Sequence, residues 1–245
     1  MDIRHCAMAD SAGRGSQQRR RPVIRLLLIT AFLSIAACDG EAPPSSEVAA
    51  GDAITSVFDC STPGGEFAFT TRTLNPGLAL WLPHDFARPY LALDQTEAAS
   101  GARYQNDDVV VWLHGTEAML EVGTQRFGAC QRNARASIWE HAKLGGVDFR
   151  AAGNEPGWVL QIRARTSIEL DYDYGNARIE TTSAEPVSDT QSMRTTYEAQ
   201  SNGQFLFIEI LASPCTDSMS GEQFESTVTV KFGERTLTGC GRSLH

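Results

Sequence analysis

The chain has 245 residues and sets 21 Lys and Arg against 30 Asp and Glu, a net charge of −9. Such a balance repels nucleic acid and anionic lipid and attracts basic partners, although acidity also serves solubility alone. No Gly-x-Ser-x-Gly elbow, His-Glu-x-x-His pair, phosphate-binding loop, Cys-x-x-Cys or His/Cys cluster occurs, so the motifs of the common hydrolase, nucleotide and metal chemistries are missing and no cofactor is expected. A paired-carboxylate hydrolase leaves no short motif and stays open on these grounds.

In chain order, Arg14, Arg19, Arg20, Arg21 and Arg25 precede the apolar run Leu26 to Ala36. That run is shorter than the ~20 residues needed to cross a bilayer, so residues 1–37 read as a secretory signal. Ile35-Ala36-Ala37-Cys38 resembles a bacterial lipobox, which makes Cys38 the expected lipidated N-terminus of the mature chain. Two or three acyl chains on one residue give stable anchoring. Residues 38–55, polar and with Pro43-Pro44, read as a flexible tether. The expected location is the cell envelope, facing the periplasm; Asp39 resembles an inner-membrane retention signal, and the choice between inner and outer membrane stays open. Losing six Arg and two Asp with residues 1–37 leaves 15 basic and 28 acidic residues, a net of −13.

Beyond the tether the chain alternates. Glu66–Thr70, Ala79–Pro83, Tyr90–Leu93, Val109–Leu113 and Ala118–Val122 read as short strands divided by Gly, Pro and Asp/Asn signals, which predicts an all-β barrel or sandwich over residues 56–133. Ala134 to Leu144 is the one stretch of clear helical composition, ended by Gly145-Gly146, and gives a helical linker over 134–147. Ile138, Trp139 and Ala142 are expected on its apolar stripe. Residues 148–245 return to strands at Trp158–Ile162, Ile168–Tyr172, Arg178–Thr181, Phe205–Ile210 and Val228–Phe232. Cys60, Cys130, Cys215 and Cys240 are an even set in an oxidising compartment; they allow three pairings, of which the sequential one fits the domain division. Trp112, inside Val109-Val-Val-Trp-Leu, reads as core.

Between two of these strands lies Ala99-Ser100-Gly101-Ala102-Arg103-Tyr104, followed by Trp112-Leu-His114-Gly115-Thr-Glu117-Ala118 with Leu120 and, at the end, Cys130. This order and spacing resemble the MliC family, the membrane-bound inhibitors of C-type lysozyme. The resemblance implies an eight-stranded antiparallel barrel with one disulfide, held in the periplasm by lipid. Its partner would be a C-type lysozyme, with Ser100, Gly101, Ala102, Arg103 and Tyr104 as a loop entering the lysozyme cleft and His114 and Glu117 beside it. A lysozyme works with two carboxylates, one protonated and one ionised. A blocking loop must therefore be narrow and offer donors. Ser100 brings a hydroxyl, Gly101 a tight turn, and Tyr104 an anchor through ring and hydroxyl. His114 stands where the family has Lys. Histidine, with an ordinary pKa near 6.5, keeps a donor but gives up most of the cation at neutral pH, so inhibition is expected to weaken between about pH 5.5 and 8. Glu117 fits either a basic group on the partner or a brace for its own hairpin.

The second half, through Phe149–Trp158, Cys215–Ser220 and Gly239–Arg242, resembles a family of β-rich bacterial envelope domains without a settled function. Gly153-Asn-Glu-Pro-Gly157 reads as turn material before a strand; the less favoured alternative makes Glu155, beside Trp158, the polar handle of a binding pocket. Asp171-Tyr-Asp173-Tyr-Gly175-Asn176 lacks the ligand run and terminal Glu of a calcium loop. The leading expectation is a non-enzymatic, lipid-anchored lysozyme inhibitor. The alternative is an envelope scaffold or ligand-binding lipoprotein that inhibits nothing.

Overall fold

The structure, a computed structural model, describes residues 53–182 and 185–245. The signal-like segment, Cys38 and the tether up to residue 52 lie outside the described residues. Among the described residues no helix is long and apolar enough to cross a membrane.

Eight strands build the first half: β1 (Thr55–Thr62), β2 (Gly65–Leu74), β3 (Gly77–Trp81), β4 (Tyr90–Thr96), β5 (Ala102–Asn106), β6 (Val109–His114), β7 (Glu117–Val122) and β8 (Gln125–Asn133). They pair antiparallel in sequence order, and β1 closes on β8 into a barrel. Alternation does the sorting. Leu78 and Leu80 of β3, Leu91 and Leu93 of β4, and Val109 and Val111 of β6 point inward with Phe58, Phe69 and Leu120. Each such fully buried side chain contributes roughly 1.5–3 kcal/mol. The barrel closes over only three backbone rungs, Val57–Asn133, Phe58–Arg132 and Asp59–Gln131. The Cys60–Cys130 disulfide lies at the next rung and carries the seam further.

Because the strands alternate in direction, every second connection falls at the same end of the barrel. At one end Phe67, Phe86 and Phe127 cluster, with ring centroids 4.9–6.0 Å apart, and Arg88 of the β3–β4 loop pairs with Asp108 of the β5–β6 turn. At the other end lie the β4–β5 loop, the β6–β7 turn and the exit of β8.

From that exit runs α1 (Ala134–Leu144). Asn133 caps it by accepting from the Ala136 N–H at 2.9 Å, and the Gly145 N–H bonds back to the carbonyls of His141 and Ala142. Trp139 and Ala142 are buried, but Ile138 is 54% exposed, against the stripe expected from sequence. Ser137 is buried instead, donating to the Asn133 carbonyl at 2.6 Å and accepting from the Val57 N–H at 2.9 Å, which seats the helix on β1.

The second half has β9 (Phe149–Asn154), β10 (Gly157–Arg163), β11 (Ser167–Tyr172), β12 (Ala177–Thr182), β13 (Val187–Asp189), β14 (Arg194–Ser201), β15 (Gln204–Leu211), β16 (Cys215–Thr216), β17 (Gln223–Phe224), β18 (Ser226–Phe232) and β19 (Arg235–Ser243). Nine of them form one sheet in the order β12-β11-β10-β9-β19-β18-β15-β14-β13, and β16 and β17 pair as a small ribbon that Cys215–Cys240 ties to β19. The sheet curls until β12 approaches β14. No backbone ladder joins those two; instead the Thr181 hydroxyl donates to the Gln200 carbonyl at 2.9 Å and the Ser201 hydroxyl to the Glu180 carbonyl at 3.0 Å. Trp158 lies across the inner surface, in space that Gly153 leaves free: a Cβ there would sit 2.1 Å from the indole nitrogen. Asp171 to Asn176 is the β11–β12 hairpin, in which Asp171 takes both arms of the Arg178 guanidinium at 2.6 and 2.9 Å.

Candidate functional site

The β4–β5 connection runs from Glu97 to Gly101, and all five residues are exposed. With no apolar side chain larger than the methyl groups of Ala98 and Ala99 it has little to bury, so its shape comes from its anchors. At the base, Arg103 Nη1 donates to Thr96 Oγ1 at 2.9 Å, across the last rung of the β4–β5 ladder. At the tip, the indole N–H of Trp112 donates to the Ser100 carbonyl at 2.8 Å. Gly101 is fixed on two counts. Its φ is +68°, and a Cβ would lie 2.2 Å from the Leu113 carbonyl oxygen and 3.3 Å from the Trp112 nitrogen. No side chain fits, and the loop lies pressed against β6.

The sequence reading of this loop needs three corrections. Ala102, Arg103 and Tyr104 are not loop but the start of β5, because the 2-residue alternation of the barrel already begins at Ala102. Tyr104 is 7% exposed and packs in the barrel core, so its ring supports the loop from within and cannot anchor it in a partner. Trp112 is not core. It sits on the outer face of β6, partly exposed, and holds the loop.

His114 and Glu117 are cross-strand partners around the Gly115-Thr116 turn, and both are exposed at the end of the barrel that carries the loop. The Gln131 amide donates to Glu117 Oε1 at 3.2 Å, so this carboxylate braces β7 against β8. A second brace is the Arg132 N–H to the Thr116 carbonyl, 2.8 Å. Ser100, Trp112, His114, Glu117 and Met119 then line one groove of about 380 Å³ on the outside of β6, β7 and β8. The groove owes its width to a bulge: Gly128 and Ala129 stand opposite the single residue Met119, with Ala129 at φ +55°. Arg126, pairing with Glu121 at 3.4 Å, forms its far wall.

The structure thus brings Ser100, His114 and Glu117 to one surface and takes Tyr104 away from it. Trp112, Met119, Arg126 and the bulge were missed in the sequence. A tryptophan at the end of an otherwise aliphatic strand, in register with the exposed side of its neighbours, was the available signal. Among the described residues no group of three or more His, Cys, Asp or Glu stands close enough to hold a metal.

Compared with known proteins, residues 85–126 match the family described as membrane-bound lysozyme-inhibitor of c-type lysozyme, MliC. No curated protein and no solved structure matches the chain. The matched stretch runs from the β3–β4 loop to the start of β8 and contains the braced loop, the His114–Glu117 turn and Trp112. Through that stretch the barrel is similar to the MliC family of lysozyme inhibitors.

Proposed function

We propose that the protein inhibits a C-type lysozyme by placing the Glu97–Gly101 loop, with Ser100 at its tip, in the enzyme's cleft. One observation carries the reading: inside the family-matched stretch, an exposed five-residue loop with no apolar side chain larger than alanine is held by Trp112 and Gly101. Rigidity matters because ordering a free loop on binding costs affinity, and a pre-set loop avoids that cost. The Ser100 hydroxyl and the backbone N–H groups of the turn are donors of the kind two cleft carboxylates accept. His114 and Glu117 flank the same groove and meet the cleft rim. The surplus of acidic residues draws a basic enzyme toward the surface. Cys38 as a lipid-bearing residue and the stretch behind it as a tether would hold the barrel at the periplasmic side of a membrane, and the second sheet would be carried as a separate domain.

The test is lysis of cell walls by a C-type lysozyme with and without the purified, oxidised protein. The intact chain should slow lysis at stoichiometric concentrations. Ser100→Asp sets a carboxylate against carboxylates and should raise the inhibition constant at least ~10-fold, since a charge-assisted bond is worth about 1.5–3 kcal/mol. Trp112→Phe, which releases the Ser100 carbonyl, should weaken inhibition less and leave the melting temperature nearly unchanged. Full lysozyme activity in a large excess of the intact protein would end the proposal.

A further inference from the structure

The outer face of β9, β10 and β19 carries an arrangement that neither barrel nor inhibition explains. Arg150 of β9 and Arg242 of β19 are direct cross-strand partners, a like-charge pair that should be unfavourable. Both guanidinium groups lie on the ring of Trp139 from α1, 4.9 and 4.5 Å from its centre, so the indole is shared between two cations. Only one of them is compensated. Arg242 pairs with Glu222 at 3.3 Å, and the other oxygen of that carboxylate takes Arg135 at 3.3 Å. Arg150 joins no ion pair and donates no side-chain hydrogen bond among the described residues, and its nitrogens are not sealed from solvent. Burial first, and then Arg242, bring its pKa down to about 10, a fall that the charge of Asp171 only partly offsets.

The nearby acids are already engaged. Asp217 accepts from Ser220, Met219 and Asn154, and Asp171 is taken by Arg178. Arg150 opens into a groove of about 280 Å³ whose floor is Ala152 and Val159 and whose rim carries Ile138 and Met219, 54% and 81% exposed. Over the same floor residues the groove continues into a second one of about 410 Å³, walled by Tyr174, itself 70% exposed. The floor is apolar, and the acids on its walls, Asp217, Glu222 and Asp171, are each already engaged by other donors, so Arg150, a fork-shaped donor without an ion pair, is the complement of a carboxylate on an apolar stem.

We propose that this channel binds a carboxylate attached to an apolar stem, with the carboxylate on Arg150 and the stem running over Ala152 and Val159 toward Tyr174. Two sources share that chemistry, a peptide C-terminus and a short fatty acid. Isothermal titration of the purified protein with N-acetyl-Leu-Ala as free acid, with its C-terminal amide and with hexanoate separates them. The free acid should bind, the amide at least ~10-fold more weakly, and hexanoate as well as the peptide only if the stem alone is read. Arg150→Gln should lose the preference for acid over amide. Since Arg150 also packs on Trp139, Val159→Trp provides a second arm: it fills the floor, leaves the guanidinium in place and should abolish binding. Equal binding of acid and amide, no heat with any carboxylate at millimolar concentration, or undiminished binding by either variant would overturn the proposal.

Discussion

The two β halves of the protein solve the same problem, an antiparallel sheet with two free edges, in different ways. The barrel joins β1 to β8 with backbone rungs and sets a disulfide at the next position. The second sheet brings β12 against β14 and leaves the junction to two hydroxyl groups, while its disulfide fastens the β16–β17 ribbon to β19, away from the seam. Full closure occurs in the half whose β4–β5 loop leans on Leu113 and Trp112 of β6, residues held in place by the complete ring of strands.

Breaking each disulfide in turn makes the difference measurable. In the chain-entropy account, a closed segment of 70 residues between Cys60 and Cys130 is worth about 4 kcal/mol, and one of 25 residues between Cys215 and Cys240 about 3.5 kcal/mol. The energies are close but the consequences should part. Cys60→Ala with Cys130→Ala opens the barrel seam and should remove lysozyme inhibition along with stability. Cys215→Ala with Cys240→Ala should lower the unfolding midpoint to a similar extent and leave inhibition intact. Inhibition surviving the first pair of substitutions, in a chain still folded by circular dichroism, would show that closure is not what holds the loop.

Much of this was legible in the sequence, and the missing parts have physical reasons. Strands with Leu or Val on every second position, such as β4, β6 and β7, stand out because burial follows the pleat. The barrel's β1, β5 and β8 do not stand out. Phe58 and Cys60 alternate with Val57, Asp59 and Ser61 in β1, and β8, Gln125–Asn133, has four exposed polar or charged positions and a bulge that breaks its period. Helix α1 was readable from composition and its Gly145-Gly146 stop, yet not its buried face, because Ser137 is drawn inward by hydrogen bonds and not by apolar area. At the loop, Ser100 and Gly101 announce a turn, but the sequence gives no sign that Tyr104 points to the core and Trp112 away from it. Both follow from where β5 begins, a matter of one residue of register.

A smaller effect is expected at the seam of the second sheet. Thr181→Val with Ser201→Ala deletes both hydroxyl donors and keeps the strands' shape. Exposed hydrogen bonds of this kind contribute about 0.5 kcal/mol each, so the pair should cost about 1 kcal/mol in urea unfolding. Lysozyme inhibition should not change. A cost of several kcal/mol would mean that the curled sheet depends on closure as strongly as the barrel does.

The smallest effect concerns the element between the two halves. His141, on α1, lies 3.3 Å from the Thr55 hydroxyl, and burial followed by repulsion from Arg72 holds its pKa below the ordinary 6.5. The unfolded chain therefore takes up this proton at a higher pH than the folded one. The stability difference is fully present in the neutral form above pH 6.5 and is lost as pH falls from there through the folded value. His141→Gln removes the titration while keeping a polar partner for Thr55. Unfolding midpoints of the intact protein should fall between pH 7 and 5, and those of the variant should fall less. Since the ring is largely exposed, the difference will be slight, and its sign is what discriminates: a variant that loses more stability than the parent over that interval would place the helix–barrel contact on a charged histidine and reverse the account of how α1 is seated on β1.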